Sequence, residues 1–170
     1  MIIKNNEELL RVQCSDVLES EVGELQALLE SELENSWKLG VPGIGLAAPQ
    51  IGIAKKIAII KLDRNKPCDV VLVNSKIEKG YDEMIFRNEG CLSFPGRVED
   101  TKRFQEIYVT NNLIYPNSFV STGITAIAIQ HELDHLNQKL FFDHKIKIKQ
   151  KPNDICNCGS GKKFKKCCYR

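Results

Sequence analysis

The sequence predicts an α+β fold: mixed, mostly antiparallel β-sheets around one metal-binding helix, with a small C-terminal metal-stabilised tail. Three observations predict it. A leucine-striped segment opens the chain, and short β-branched runs follow it without alternating with helices. One apolar run late in the chain, ITAIAIQHELDHL (124–136), carries two histidines four residues apart. Four of the seven cysteines fall in the last fifteen residues.

Residues 6–38 read as mostly helical, with Leu25, Leu28, Leu29 and Leu33 on a 3.6-residue stripe. Residues 39–42 break the pattern, and the glycine-rich stretch GIGLAAPQIG (43–52) follows. KKIAIIKL (55–62), DVVLVNSKIEK (69–79), EMIFRNEG (83–90) and FQEIYVTNNLI (104–114) are rich in β-branched and aromatic residues, as strands are. The 124–136 run starts with β-branched residues, but its length and its L-D-H-L ending predict a buried helix, with Ser121 and Thr122 as caps. HKIKIKQKPND (144–154) is polar and basic and reads as a linker. The chain is therefore expected to divide into a catalytic domain (1–144), a basic linker (145–153) and a metal-binding tail (154–170).

Composition excludes several classes. With 42% hydrophobic and 27% charged residues, the chain is an ordinary globular protein. No stretch approaches the roughly 20 apolar residues that span a bilayer, so no membrane partner is expected. The N-terminus lacks the apolar core of a secretory signal, and a cytoplasmic location is the expectation. An odd number of cysteines in that compartment argues against a disulfide framework. The net charge of +2 hides an asymmetry. Residues 145–170 hold eight lysines and one arginine against one aspartate, a net of +8, which leaves −6 on the rest.

The chemistry starts at QHELDH (130–135). On a helix, His131 and His135 share one face a turn apart, and Glu132 stands beside them as a candidate base. A catalytic metal usually takes three protein ligands and keeps one position open. Cys91, in the loop EGCLS (89–93) after a predicted strand, is the third candidate; Cys14 and Cys68 sit in unrelated local patterns. GIGLAAPQIG lacks the third glycine of a dinucleotide fingerprint and the Lys-Ser/Thr of a phosphate loop, so nucleotide binding is not expected.

The loop GxGLAAxQ, the loop EGCLS and the helix HExDH, in that order, resemble peptide deformylase. HELDHLNQKLFFD continues the likeness, with Gln138 where the family often has glycine, and LLRVQCSDV (9–17) is similar to its N-terminal segment. The resemblance spans roughly residues 8–143. It implies metal-dependent removal of the formyl group from the N-terminal methionine of newly made polypeptides. It also implies Cys91, His131 and His135 as metal ligands and Glu132 as the residue that handles the proton. The Gln50 side-chain amide and the Leu92 backbone N–H would face the developing oxyanion, and Gly45 would pair its backbone with substrate. Glu89 would pair with Arg103 to brace the metal loop. The implied ion is iron(II), with zinc as an alternative that the same donors suit. Ile44, Ile124, Ile127 and Ala128 are candidates for the methionine pocket, because 124, 127, 128 and 131 share a helix face; they would serve equally as ordinary core. Asp134 is expected either to orient a ligand histidine or to be solvated. Two other readings are a zinc protease, for which His144 is badly placed as a third ligand, and a binding module that has lost catalysis.

The tail CNCGSGKKFKKCC (156–168) offers Cys156, Cys158, Cys167 and Cys168, enough for a closed tetrahedral site. It resembles the SEC-C zinc motif, which implies a structural zinc that supplies the folding energy so short a segment lacks. Four thiolates and one Zn²⁺ leave the tail at about +6. On charge alone a solubilising tail with no partner is the simpler reading; because deformylation happens on ribosome-bound chains, the resemblance implies that the tail docks on the ribosome or another anionic partner.

Overall fold

A computed structural model of the chain describes residues 1–146, 151–156 and 160–167. The helix expected over 6–38 is broken in two. α1 (Glu7–Leu10) is one turn, capped by Asn6, whose Oδ1 accepts the Leu9 N–H at 3.1 Å. The chain then runs extended: Ser15 bridges to Lys55, and the Val17 N–H donates to Asn74 Oδ1 at 2.8 Å. That path buries Val17 in the core. A short 3₁₀ turn leads into α2 (Val22–Lys38). Leu29 and Leu33 are its buried ridge; Leu28, expected on that stripe, is 41% exposed.

Two three-stranded antiparallel sheets follow. The first has the order β1 (Gly45–Ala47), β2 (Ile57–Ile60), β3 (Val70–Val73). The second has the order β4 (Lys76–Gly90), β5 (Val98–Thr110), β6 (Ser118–Thr122). The segment 69–79, expected as one strand, is two strands that part at Asn74, whose φ is +51°. The expected strand at 83–90 and the first part of that at 104–114 fall in the long β4–β5 hairpin, which ends at Thr110; residues 111–114 leave the sheet.

α3 (Gly123–Leu136) lies against both sheets. Its Ala126, Ala128, Ile129, Leu133 and Leu136 pack with Ala58, Ile60 and Leu72 of the first sheet and with Ile107 and Val109 of the second. The other face of the first sheet presents Ile57, Ile59 and Val73 to Leu29 and Leu33 of α2. Being covered on both faces explains why β2 reads IAII without polar alternation. Each fully buried leucine or isoleucine here contributes about 1.5–3 kcal/mol. Thr122 does stand at the N-cap of α3, but its hydroxyl makes no capping bond, and Ser121 belongs to β6. Beyond the last turn Gln138 has φ +63°, the left-handed conformation that glycine adopts without strain.

A third cluster of Leu10, Phe94, Leu140, Phe141 and Phe142 lies under the 91–94 loop. The first residues past the expected domain end are pinned: Lys145 bridges to Thr101, and the Ile146 N–H donates to Asp100 O at 2.9 Å. In the tail, Ile155 bridges to Lys163, and the Cys156 N–H donates to Lys162 O at 2.7 Å. Among the described residues no helix is long and apolar enough to cross a membrane.

Candidate active site

β4 ends at Gly90 and the chain turns, with the Phe94 N–H donating to Cys91 O at 3.0 Å. The turn aims the Cys91 thiol at the flank of α3 that carries His131 and His135, both buried and one helical turn apart. The Cys91 Sγ, one ring nitrogen of His131 and one of His135 all lie within 4.8 Å of one another. His135 Nε2 is 3.3 Å from Cys91 Sγ. His131 Nδ1 faces Glu89 Oε1 at 2.6 Å, which leaves its Nε2 for the thiolate side.

Behind this trio is a buried ionic cluster. Arg103 grips Glu89 with two nitrogens, Nη2 to Oε1 at 2.6 Å and Nε to Oε2 at 2.8 Å. The Thr101 hydroxyl donates to Glu89 Oε2 at 2.5 Å. Arg103 Nη1 also donates to Asp134 Oδ2 at 2.6 Å, and His144 Nε2 lies 3.0 Å from the same oxygen. Burial alone would raise the Glu89 carboxyl, but hydrogen bonds from His131 and Arg103 outweigh it and hold Glu89 at about 2. It therefore accepts from the imidazole as an anion, which fixes ring orientation and tautomer. Among the described residues Asp134 bonds neither His131 nor His135; it holds Arg103, one step further back.

In front is a cleft of about 200 Å³, lined mostly by apolar groups. All ten residues Ile44, Gly45, Gln50, Cys91, Leu92, Ile124, Ile127, Ala128, His131 and Glu132 line it. His135 is not among the lining residues; it is 1% exposed behind them. The cleft also takes in Gly43, Phe86, Glu89 and Gly90. Phe86 carries no motif, and the alternation along β4 does not tell which face meets the helix.

Gly45 is required by close approach: a Cβ there would run into the Glu132 carboxylate. Glu132 Oε2 is buried without a hydrogen-bond partner among the described residues. Burial pushes this carboxyl up to about 7, only partly opposed by His131. Such a group exchanges a proton near neutral pH. Gln50 accepts the Ala47 N–H on Oε1 at 2.8 Å and directs Nε2 toward Ser93 Oγ (3.2 Å) and Cys91 Sγ (3.5 Å).

A cysteine sulfur and two imidazoles, with the rest of the sphere facing a mostly apolar cleft, suit a small divalent ion with an open position. The unpartnered carboxylate oxygen beside them suits the handling of a water proton. Fold and site together place the protein among metal-dependent hydrolases. A family model described as polypeptide deformylase matches residues 1–151, and one described as SEC-C motif matches residues 153–170. Peptide deformylase 1 of Pseudomonas syringae pv. tomato is 38% identical over 128 residues, covering 74% of this chain and 75% of its own. The peptide deformylase of Endomicrobium trichonymphae is 36% identical over 148 residues, covering 79% and 87%. A solved peptide deformylase from Legionella pneumophila superposes with TM-score 0.73 at 32% identity, over 87% of this chain and 86% of that one. The Synechococcus elongatus peptide deformylase gives TM-score 0.74 at 34% identity, over 87% and 81%. The chain belongs to the polypeptide deformylase family, metal-dependent hydrolases that remove the formyl group from N-formylated peptides, and it carries a SEC-C motif at its C-terminus.

In that motif, Cys156 is buried, and Cys167 Sγ lies 3.2 Å from Ser160 Oγ. Cys158 and Cys168 lie outside the described residues.

Proposed function

We propose that this chain removes the N-formyl group from the N-terminal methionine of nascent polypeptides and releases formate, with Cys91, His131 and His135 holding the metal. The observation that carries the assignment is the convergence of those three donors at the wall of an apolar cleft that also contains Glu132. When bound in this site, a divalent ion would supply Lewis acidity and lower the pKa of water in its open position toward neutrality. Iron(II) is the proposed resident ion and zinc the alternative, since the thiolate and imidazoles suit both.

Glu132 takes the proton of the attacking water on its unpartnered Oε2 and returns it to the leaving amine. The Gln50 amide and the Leu92 N–H receive the oxyanion; such donors are each worth about 3 kcal/mol in the transition state. Ile44, Ile124, Ile127 and Ala128 take the methionine side chain, and the Gly45 backbone aligns the first peptide unit. Glu89 keeps His131 in its metal-binding tautomer. Formate release from formyl-Met-Ala-Ser tests the whole assignment. Glu132→Ala should keep its metal and lose release; release at the parent rate refutes the role of Glu132.

The chain divides into the catalytic body over 1–144, the linker over 145–153 and the tail over 154–170. Cys156, Cys158, Cys167 and Cys168 hold a structural zinc, and the basic tail docks on the ribosome or another polyanion. Two metal equivalents per chain, one lost on truncation at Pro152, is the expected stoichiometry. Truncation should leave peptide turnover intact and weaken salt-sensitive ribosome co-sedimentation; unchanged co-sedimentation refutes the docking role.

A further inference from the structure

We infer that Ser93 is a positioning residue for the reaction: its buried hydroxyl holds the Gln50 amide so that one N–H faces the substrate carbonyl. The inference rests on the proposed role of Gln50 as an oxyanion donor.

The two ends of the Gln50 amide are told apart by different neighbours. Oε1 accepts the Ala47 N–H at 2.8 Å, so this end must be the oxygen. Nε2 lies 3.2 Å from Ser93 Oγ and 3.5 Å from Cys91 Sγ, so this end must donate. A flipped amide would set its NH₂ against the Ala47 N–H and its oxygen against the cysteine sulfur. Ser93 is 0% exposed and Gln50 1%, so water does not substitute freely for either contact. An amide nitrogen carries two hydrogens. Ser93 engages one; the second has only the longer 3.5 Å contact to Cys91 Sγ to give up when a substrate carbonyl enters the cleft that Gln50 lines.

Ser93 is itself fixed from two directions. Its backbone oxygen accepts the Asn5 N–H at 2.8 Å, and its N–H donates to Cys91 Sγ at 3.4 Å. The hydroxyl thus sits on the same short turn that aims the thiol. Donor and metal ligand are set in register by one residue that lines no part of the cleft. A donor free to rotate still binds substrate but meets the oxyanion less often. The cost should therefore appear in kcat and leave KM alone.

The test compares Ser93→Ala, Gln50→Ala and the double variant, each metal-loaded with metal content measured. Losing a whole oxyanion donor lowers kcat about 10²–10³-fold. Ser93→Ala should lose part of that, about tenfold, with KM and metal content unchanged. In the Gln50→Ala background Ser93→Ala should cost nothing further. Ser93→Thr, which keeps the hydroxyl, should recover most of the rate. The Gln50 side-chain ¹⁵NH₂ pair, assigned by its loss in Gln50→Ala, should show two well-separated proton shifts in the parent and in Ser93→Thr. In Ser93→Ala the two shifts should draw together. If Gln50→Ala is slow while Ser93→Ala turns over normally, Ser93 does not position the amide. An equal Ser93→Ala loss in both backgrounds overturns the inference too, because Ser93 then acts independently of Gln50. If Gln50→Ala itself turns over normally, the donor role of Gln50 fails, and the inference with it.

Discussion

Arg103→Met removes the cation shared by two buried carboxylates. The Arg103 side chain is 2% exposed, Glu89 3% and Asp134 14%. Breaking a buried ion pair by deleting one partner costs about 3–5 kcal/mol, because the remaining charge is left uncompensated. Here the loss is softened. Glu89 keeps the Thr101 hydroxyl and His131, and Asp134 keeps His144. Glu89 can also take up a proton once the guanidinium that holds it down has gone. The lower end, about 3 kcal/mol, is therefore expected. For a chain this long each kcal/mol moves Tm by about 2–4 °C, so the shift should be about 6–12 °C downward. Thermal unfolding followed by circular dichroism at pH 7, on metal-loaded and metal-stripped protein, measures it. Metal affinity should fall about 10–100-fold as Glu89 loosens behind His131. The triple variant Glu89→Gln, Arg103→Met, Asp134→Asn should regain much of the Tm but not the affinity. An Arg103→Met Tm within about 2 °C of the parent would sink the reasoning, since about 1 kcal/mol is all such a shift represents.

Gly45→Ala should lower kcat/KM at least tenfold with metal content intact, because its methyl displaces the Glu132 carboxylate; a normal rate would mean the cleft gives way elsewhere. Gln138→Gly should raise stability in urea by about 1 kcal/mol by relieving a left-handed residue after α3, and no gain would show the φ of +63° to be unstrained. Arg11→Gln removes the ion pair with Asp143, whose hydrogen bond from Arg11 holds its carboxyl below the usual range. A lowered folded pKa stabilises above the unfolded value of about 3.9, and the gain disappears as pH falls through the folded value. The deficit of Arg11→Gln, about 0.5–1 kcal/mol for so exposed a pair, should thus be present at pH 7 and smaller at pH 3. A deficit that does not change with pH would assign it to lost packing on Phe142.

Much of the site was readable before any coordinates. The four-residue spacing in HELDH states a shared helix face, and EGCLS follows a recognisable strand. The contacts that brace the trio were less readable. Glu89 meets His131 across 42 positions, and Arg103 meets Asp134 across 31, separations no local pattern reports. β6 hides in the polar run NNLIYPNSFVST, because a solvent-facing edge strand needs few apolar residues. β1 hides in a glycine-alanine run whose small side chains admit Glu132. Gln130 carries no motif role in QHELDH. Its amide bonds both the N–H and the C=O of Phe104, at 2.9 and 2.8 Å, continuing the edge of β5 past the point where β6 ends at Thr122. The 6–38 helix was overdrawn because leucine and glutamate suit a helix locally, while Val17 gains more by reaching the core.

The three donors stand far apart along the chain, with Cys91 forty positions ahead of His131. At a synthesis rate of about 5–20 residues per second, the thiol emerges roughly 2–8 s before its first imidazole partner. During that interval no ion can be held in common, and the bare sulfur faces whatever oxidant is at hand. An enzyme that serves unfinished chains thus spends its own birth with a thiol of its candidate site unprotected, and its yield should depend on how reducing the surroundings are while it is being made.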